Sequence, residues 1–402
     1  MFDTNAKDKM DYEHSVYSIN ELLHLFGINQ SEDIKAALKG KIIDADFISN
    51  SIAVNKERIS NPEAESPFSG FISKALNEDE KLKLSEMKEK EFSISQLENY
   101  AKCPYKYFAE RILKLEPPEE PTEEIEALEM GSLLHNILFE FYVKIKEEGI
   151  ILAGADEKII DRAEEIIFSI AEEKLSNTNC TSPINFFEKE KILGVNGDHK
   201  KSILYLFLLE EQKSEDGFIP EYFEISFGGI KKDASGTDSL LTELSAGEVK
   251  VRGKIDRVDI NQPNKKFRVV DYKLSGKKPT LDDLKRGISL RLPLYMYAAK
   301  KLIKAQFNYD ADPSSAEIYS LKFNQKSFGK IIIKPTTSRT QLDENELEAL
   351  NQKIITECIE AINNYVKLIL EGKFNLSRLH DRENKVCRYC SFRAVCRIQD
   401  IN

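Results

Sequence analysis

From residue 93 onward, apolar positions first recur three and four apart, then fall into short strand-like runs, then return to helical spacing. Ser95, with Glu98 three residues later, has the form of a capping box and predicts a helix through Tyr107 to Leu115; Pro117, Pro118 and Pro121 then break the chain. Helical patterns follow at 128–146, 157–174 and 200–212. Runs rich in Val, Ile, Phe and Tyr predict strands at 222–227, 249–260 and 267–273. After a helix at 292–303 two more strands are predicted, at 316–323 and 329–334. A long helix over 344–371 places Ile354, Ile355, Cys358, Ile362, Tyr365 and Ile369 on one face. Helices on both sides of a short set of strands predict an α/β core: a small mixed central sheet flanked by helices, with helical insertions. Ahead of it, residues 1–90 read as a peripheral N-terminal region, and 91–402 as the principal domain. The first region holds helical patterns at 20–26 and 31–38 and a Ser/Asn/Pro/Glu-rich stretch to Gly70, with no candidate chemistry.

The 402 residues are 41% hydrophobic, ample for one large domain with appendages. No run of 18 apolar residues predicts a membrane span, and the N-terminus has no signal-peptide pattern, so a cytoplasmic protein is expected. There, clustered cysteines hold metal or do redox chemistry more often than they form disulfides. The net charge of −10 argues against a simple electrostatic nucleic-acid binder. Residues 250–334 nevertheless carry 20 Lys/Arg against 8 Asp/Glu, while 119–129 is an acidic run. A basic segment on an acidic protein can still follow a phosphate backbone. The chain has no GxxxxGK[ST] phosphate loop, which excludes an ATPase motor of that type.

The candidate chemistry lies in the strands at 249–260 and 267–273, joined by Asn261-Gln262-Pro263-Asn264-Lys265-Lys266. With the loop centre as symmetry point, Asp256 falls opposite Asp271 on one face, and Lys273 points to that face too. The same register sets Lys254 opposite Lys273, and a slip of one residue would turn Asp256 away. Two facing carboxylates repel unless a proton or cation lies between them, and hard oxygen ligands suit Mg²⁺ or Mn²⁺. His135, early in an amphipathic helix, is a third candidate ligand.

Four of the six cysteines form a second pattern: Cys103 in Cys103-Pro104-Tyr105, and Cys387, Cys390 and Cys396 as Cys-x2-Cys-x5-Cys. Four thiolates suit either Zn²⁺ or an iron–sulfur cluster, and either would tie the helix near residue 100 to the C-terminal tail. Tyr105, Lys106, Tyr107 and Arg111 beside it suit base stacking and backbone contact, or ordinary helix packing. Cys358 belongs to an apolar helix face and reads as inert core; Cys180 is unassigned.

Taken in order, Gly131-x-x-x-His135, Gly253-x-x-Asp256-Arg257, Asp271-Tyr272-Lys273 and Leu292-Pro293-Leu294-Tyr295 resemble the RecB-type nuclease domain of the PD-(D/E)xK superfamily. The cysteine pattern resembles its iron–sulfur branch, which includes the AddB proteins of bacterial helicase–nucleases and the CRISPR-associated Cas4 nucleases. The resemblance implies a restriction-endonuclease-like core, with His135, Asp256, Asp271 and the Tyr272 carbonyl binding Mg²⁺ or Mn²⁺ and with Asp256, Asp271 and Lys273 as the catalytic set. It implies a [4Fe–4S] cluster on Cys103, Cys387, Cys390 and Cys396, with structural Zn²⁺ as the alternative. Glu224 matches an acidic position that supports the ligands. Where the family usually has Gln, four residues before the Tyr, this chain has Arg291; Arg291 and Tyr295 share a helical face suited to the substrate. The activity so implied is metal-dependent hydrolysis of DNA phosphodiester bonds, as an exonuclease in double-strand break repair, beside a helicase–nuclease partner that carries the ATPase motor. Residues 1–90 would be the tail of a helicase-like region. A stand-alone Cas4-like nuclease of CRISPR adaptation and a non-cleaving DNA-binding scaffold are the alternatives.

Overall fold

A computed structural model describes residues 18, 21, 45–60, 65–116, 127–176, 183–229, 243–274, 278–323, 328–332 and 343–400. At its centre is one mixed sheet of seven strands: β1 (Phe92–Ser93), β2 (Ile219–Phe227), β3 (Leu244–Ala246), β4 (Val249–Asn261), β5 (Lys266–Lys273), β6 (Asp312–Ser320) and β7 (Gly329–Ile332). At 13 residues, β4 is long enough to have two sets of neighbours. Its start lies between β1 (parallel) and β3 (antiparallel), Val251 pairing with both Phe92 and Leu244. Its second half lies between β2 and β5, both antiparallel. The sheet continues through a parallel β5–β6 pair to antiparallel β7.

The helices are α1 (Ala45–Ser60), α2 (Glu78–Ser85), α3 (Ile94–Lys102), α4 (Pro104–Tyr107), α5 (Ala127–Glu147), α6 (Glu157–Ser176), α7 (Pro183–Leu193), α8 (Ile203–Gln212), α9 (Leu281–Lys285), α10 (Arg291–Phe307), α11 (Glu344–Leu370) and α12 (Arg393–Cys396). Strand alternation divides the core in two. Phe267 and Val269 of β5 join the cluster under α3, α10 and α11, whereas Val270 and Tyr272 join the one under α5, α6 and α8. Cys358 sits in the first cluster, 2% exposed, its Sγ directed at the Leu290 carbonyl (3.6 Å); burial pushes its thiol up.

Several boundaries differ from those the sequence predicts, for local reasons. The helix expected from Ser95 to Leu115 begins at Ile94. Its cap is Ser93, whose Oγ accepts from the Gln96 N–H (3.3 Å) while the Gln96 side chain accepts from the Ser93 N–H (3.1 Å). The helix stops at Lys102 because Pro104 excludes helical backbone at the residue before it, and Cys103 is extended (φ −158°, ψ 100°). A π-turn over Phe108–Ile112 ends the segment. Strand β6 starts at Asp312 and stops at Ser320, short of Phe323, and α7 has no counterpart among the predicted helices. The helical patterns at 20–26 and 31–38, apart from residue 21, lie outside the described residues, as do Cys180 and residues 333–334.

The segment before the sheet is laced to the chain after α11. Ile72 N–H donates to the Gly372 carbonyl (2.9 Å) and Phe374 N–H to that of Gly70 (2.7 Å). Gly70 takes φ +95°, and a Cβ there would lie 2.6 Å from the Phe374 carbonyl oxygen, so the lacing needs glycine. Among the described residues no helix is long and apolar enough to cross a membrane.

Candidate active site

The β4–β5 hairpin pairs Arg257 with Val270, Val258 with Val269 and Asp259 with Arg268. One further step along this register sets Asp256 opposite Asp271. The Tyr272 N–H donates to Asp256 Oδ2 (2.8 Å), locking that carboxylate to β5. Gly253 lets β2 and α3 close on β4 just ahead of it: a Cβ there would lie 2.7 Å from the Phe227 ring and 3.1 Å from Ile94. The paired ladder ends before Lys254 could face Lys273; Lys254 pairs with Glu224 instead.

Helix α5 brings His135 to this hairpin. Its Nδ1 lies 3.6 Å from Asp256 Oδ1 and 3.8 Å from Glu224 Oε1, and its ring meets Tyr272 edge-on at 5.7 Å. Among the described residues, His135, Glu224 and Asp256 are the only three side chains whose metal-ligating atoms all fall within 4.8 Å of one another. Glu224 is 6% exposed and has φ +52° in mid-strand, a conformation that side chains rarely adopt and that clusters at functional sites. The sequence marks it only as support for the ligands; the geometry puts it level with the other two.

Burial pushes Asp256 up to about 7; the neighbouring His135 opposes this, and the Asp271 and Glu224 carboxylates add to it. Burial works against a charged His135, yet Glu224, Asp256 and Asp271 together raise its pKa. A buried aspartate pushed up by neighbouring carboxylates, with an imidazole beside it, is a donor set that a divalent cation fits.

Asp271, 2% exposed, is held on both sides: Lys273 Nζ lies 2.8 Å from Oδ2 and Arg291 Nη1 3.2 Å from Oδ1. Arg291 opens α10, and its N–H and that of Leu290 are both capped by the Glu98 carboxylate (3.1 and 2.8 Å). Glu98, expected to cap its own helix, thus positions the next one. Tyr295, grouped with Arg291 as a substrate contact, is only 5% exposed and packs edge-on against Phe227 at 6.3 Å. It offers little surface to a nucleic acid.

On the opposite face of the hairpin lies a buried ionic knot. Arg257, fully buried, forks onto Asp259 (Nε–Oδ1 2.5 Å, Nη2–Oδ2 2.8 Å) and reaches Glu211 Oε2 (2.9 Å). It also donates to the hydroxyls of Tyr142 (2.6 Å) and Tyr272 (3.5 Å). Arg268 closes on Asp259 from β5 (2.7 Å). Arg257 therefore ties β4 to α8 through Glu211, to α5 through Tyr142 and to the Asp271-Tyr272-Lys273 strand. Only the Arg-x-Asp alternation in a strand that reads as buried hints at this knot.

The sequence profile of the PD-(D/E)XK nuclease superfamily matches residues 91–397. The chain belongs to that superfamily. Curated relatives are named as the B component of an ATP-dependent helicase/deoxyribonuclease. The one from Clostridium perfringens is 27% identical over 373 residues, covering 80% of this chain and 31% of that protein. That of Carboxydothermus hydrogenoformans is 27% identical over 370 residues (77% and 32%), and that of Clostridium kluyveri 30% over 210 residues (51% and 17%). The chain spans about a third of the length of the first two.

In this nuclease fold the cysteines converge although 284 residues separate the first from the next. Cys103 Sγ caps α4 by accepting from the Lys106 N–H (3.4 Å). Burial pushes the Cys103 thiol up to about 11; N–H groups of Lys106 and Ser377 pull it down, and Cys390 and Cys387 push it up. Burial, then Glu383, then Cys396 and Cys390 raise Cys387. Four sulfurs that sense one another at the end of a helix fit a shared cation that would make them thiolates. No three of them lie within 4.8 Å of one another. Beside them, Tyr107 is buried in stacked contact with Phe374, so packing is its role, while Tyr105 stays half-buried near Cys396 and Arg58.

Proposed function

We propose that this chain is the nuclease portion of a helicase–deoxyribonuclease, cutting DNA phosphodiester bonds as an exonuclease in double-strand break repair. The observation that carries the reading is the Asp256–Asp271–Lys273 hairpin meeting His135 and Glu224 in a buried cluster of carboxylates. The names of the relatives support DNA as the substrate and a motor-bearing partner. They favour this setting over a stand-alone CRISPR nuclease, and the complete acidic set speaks against a non-cleaving scaffold. Residues 91–402 would form the nuclease domain, 1–90 the tail of a helicase-like region, and the protein would work in the cytoplasm.

His135, Glu224, Asp256, Asp271 and the Tyr272 carbonyl would hold a divalent ion, for which Mg²⁺ is proposed and Mn²⁺ is the substitute. Such an ion, when bound, neutralises phosphate charge and acidifies a water. Lys273, 38% exposed and anchored on Asp271, would stabilise charge growing on the phosphate and orient the attacking water. Arg291, a third exposed and on the other Asp271 oxygen, suits a second phosphate oxygen.

For the cysteines, a [4Fe–4S] cluster is proposed over zinc. Tetrahedral zinc at ~2.3 Å from each sulfur needs sulfurs ~3.8 Å apart, whereas thiolates that bind separate irons of a cluster sit farther apart. Iron and zinc assay of anaerobically purified protein tests this: stoichiometric zinc without iron refutes it. The activity is tested by digestion of end-labelled single- and double-stranded DNA in Mg²⁺ and Mn²⁺, comparing wild type with Asp271→Ala. Equal cutting by both, or none by either, overturns the assignment.

A further inference from the structure

The ligand set that the pocket brings together is His135, Glu224 and Asp256; Asp271 is absent from it although it faces Asp256 across the hairpin. Both Asp271 oxygens have cations of the chain's own instead: Lys273 on Oδ2 and Arg291 on Oδ1. We propose that Arg291 is a resident counter-ion of Asp271, which competes with the divalent ion while no DNA is bound and transfers to the substrate phosphate when DNA arrives. Ion and DNA then tighten each other's binding. The inference rests on the metal-dependent, DNA-cutting reading above.

Three features carry it. The backbone at Arg291 is fixed, because Glu98 caps the Leu290 and Arg291 N–H groups, whereas the side chain is long and a third exposed, so only the guanidinium need move. Its charge cannot be shed, because a guanidinium stays protonated at any working pH. It can leave Asp271 only by finding another anion. A phosphate offers the bidentate geometry that guanidinium prefers. A neutral side chain at 291 would leave Asp271 Oδ1 without a cation of the chain's own at all times, whereas the arginine makes occupation of that oxygen conditional on substrate.

The test is calorimetric titration of Ca²⁺ into the full chain, alone and with a short DNA duplex shown by gel to remain intact. Without DNA, Arg291→Gln should bind Ca²⁺ roughly 10-fold more tightly than wild type, the size of a typical coupling. The duplex should tighten Ca²⁺ binding to wild type by a comparable factor and to Arg291→Gln by much less. Arg291→Lys, which keeps the charge, should keep most of the coupling, and melting curves of all three proteins show that they are folded. An Arg291→Gln affinity no tighter than wild type, or equal DNA-induced tightening in both, overturns the proposal; so does wild-type Ca²⁺ binding that ignores DNA, whatever the variants do. Normal ion binding and DNA cutting without these differences removes only the Arg291 role, whereas absent ion binding together with absent cutting in Mg²⁺ removes the metal-dependent reading as well.

Discussion

Replacing Arg257 with methionine should destabilise the fold and slow the enzyme together. Arg257 is fully buried, makes two bonds to Asp259 and one to Glu211, and donates to Tyr142. Breaking one side of a buried ion pair costs about 3–5 kcal/mol, because the abandoned carboxylate stays desolvated. Here each carboxylate retains one cation, Arg268 at 2.7 Å on Asp259 and Lys330 at 3.1 Å on Glu211, which places the cost at the low end. With ~2.1 cal/mol/K per residue over a domain of ~300 residues, ~3 kcal/mol lowers the melting temperature by ~5 °C. The same change frees Tyr142 on α5 and Tyr272 on β5, so His135 and Asp271 lose a common anchor; kcat should fall on the order of 10-fold or more with KM less affected. Thermal unfolding and single-turnover cleavage measure the two effects. A variant melting within ~1 °C of wild type, with unchanged kcat, would refute the view that the knot supports the site.

The knot also predicts an acid limb. Burial would raise the Asp259 pKa, but Arg257 and Arg268 hold it down near about 2, so stability present above pH ~4 should be lost as pH falls from ~4 to ~2, by roughly 2 kcal/mol. Asp256 has the opposite sign. Its carboxyl, pushed up to about 7, and the raised His135 imidazole must both lose a proton to take an ion, so divalent-ion affinity should fall by at least about 10-fold per pH unit below pH ~7. Titrations of Mn²⁺ between pH ~5.5 and ~8 that show constant affinity would dispose of this. Glu224→Gln should weaken Mn²⁺ binding on the order of 10-fold while leaving the fold intact, since only one charge of the set is lost. On the proposed cluster, Cys103→Ser should lower the iron content and release the C-terminal tail to protease, because Cys103 would be the single ligand from the N-terminal side; unchanged iron content and cleavage pattern would contradict it.

What the sequence discloses follows physical lines. Strand alternation and a six-residue connection are enough to place Asp256 opposite Asp271, since the hairpin closes symmetrically about its loop. The long apolar stripe from Ile354 to Ile369 is equally legible because α11 buries it. Two neighbouring serines with acceptors three residues on are not separable by pattern: Ser93 with Gln96 and Ser95 with Glu98 both fit a capping box, and the need for Glu98 at Leu290 decides between them. The Cys103-Pro104 break is readable from proline alone, yet the helical pattern on both sides conceals it. Gly131, part of the spacing that draws attention to His135, has open space where a Cβ would go, so no steric need for glycine is visible there. Glu224 is underrated by sequence because its aim depends on a positive φ within a strand, which no periodicity encodes.

The hairpin explains why stability and chemistry cannot be tuned separately in this fold. Residues 256 and 257 point to opposite faces, as do 271 and 272, so one register decides both layers. One step past the observed pairing the two carboxylates share a face of the hairpin, while Arg257, Asp259, Arg268 and Tyr272 meet on the other, beneath α5 and α8. A slip of one residue would drive Asp256 into the apolar cluster and pull Arg257 away from Asp259 and Glu211, leaving buried charges unpaired on both faces. The cost of that slip exceeds the small differences in side-chain packing that usually set register. The knot thus holds two acidic side chains on one face of the hairpin, an arrangement that β4 and β5 would not adopt if left to those charges alone, and the mutual repulsion of Asp256 and Asp271 is what a cation in the proposed site would relieve.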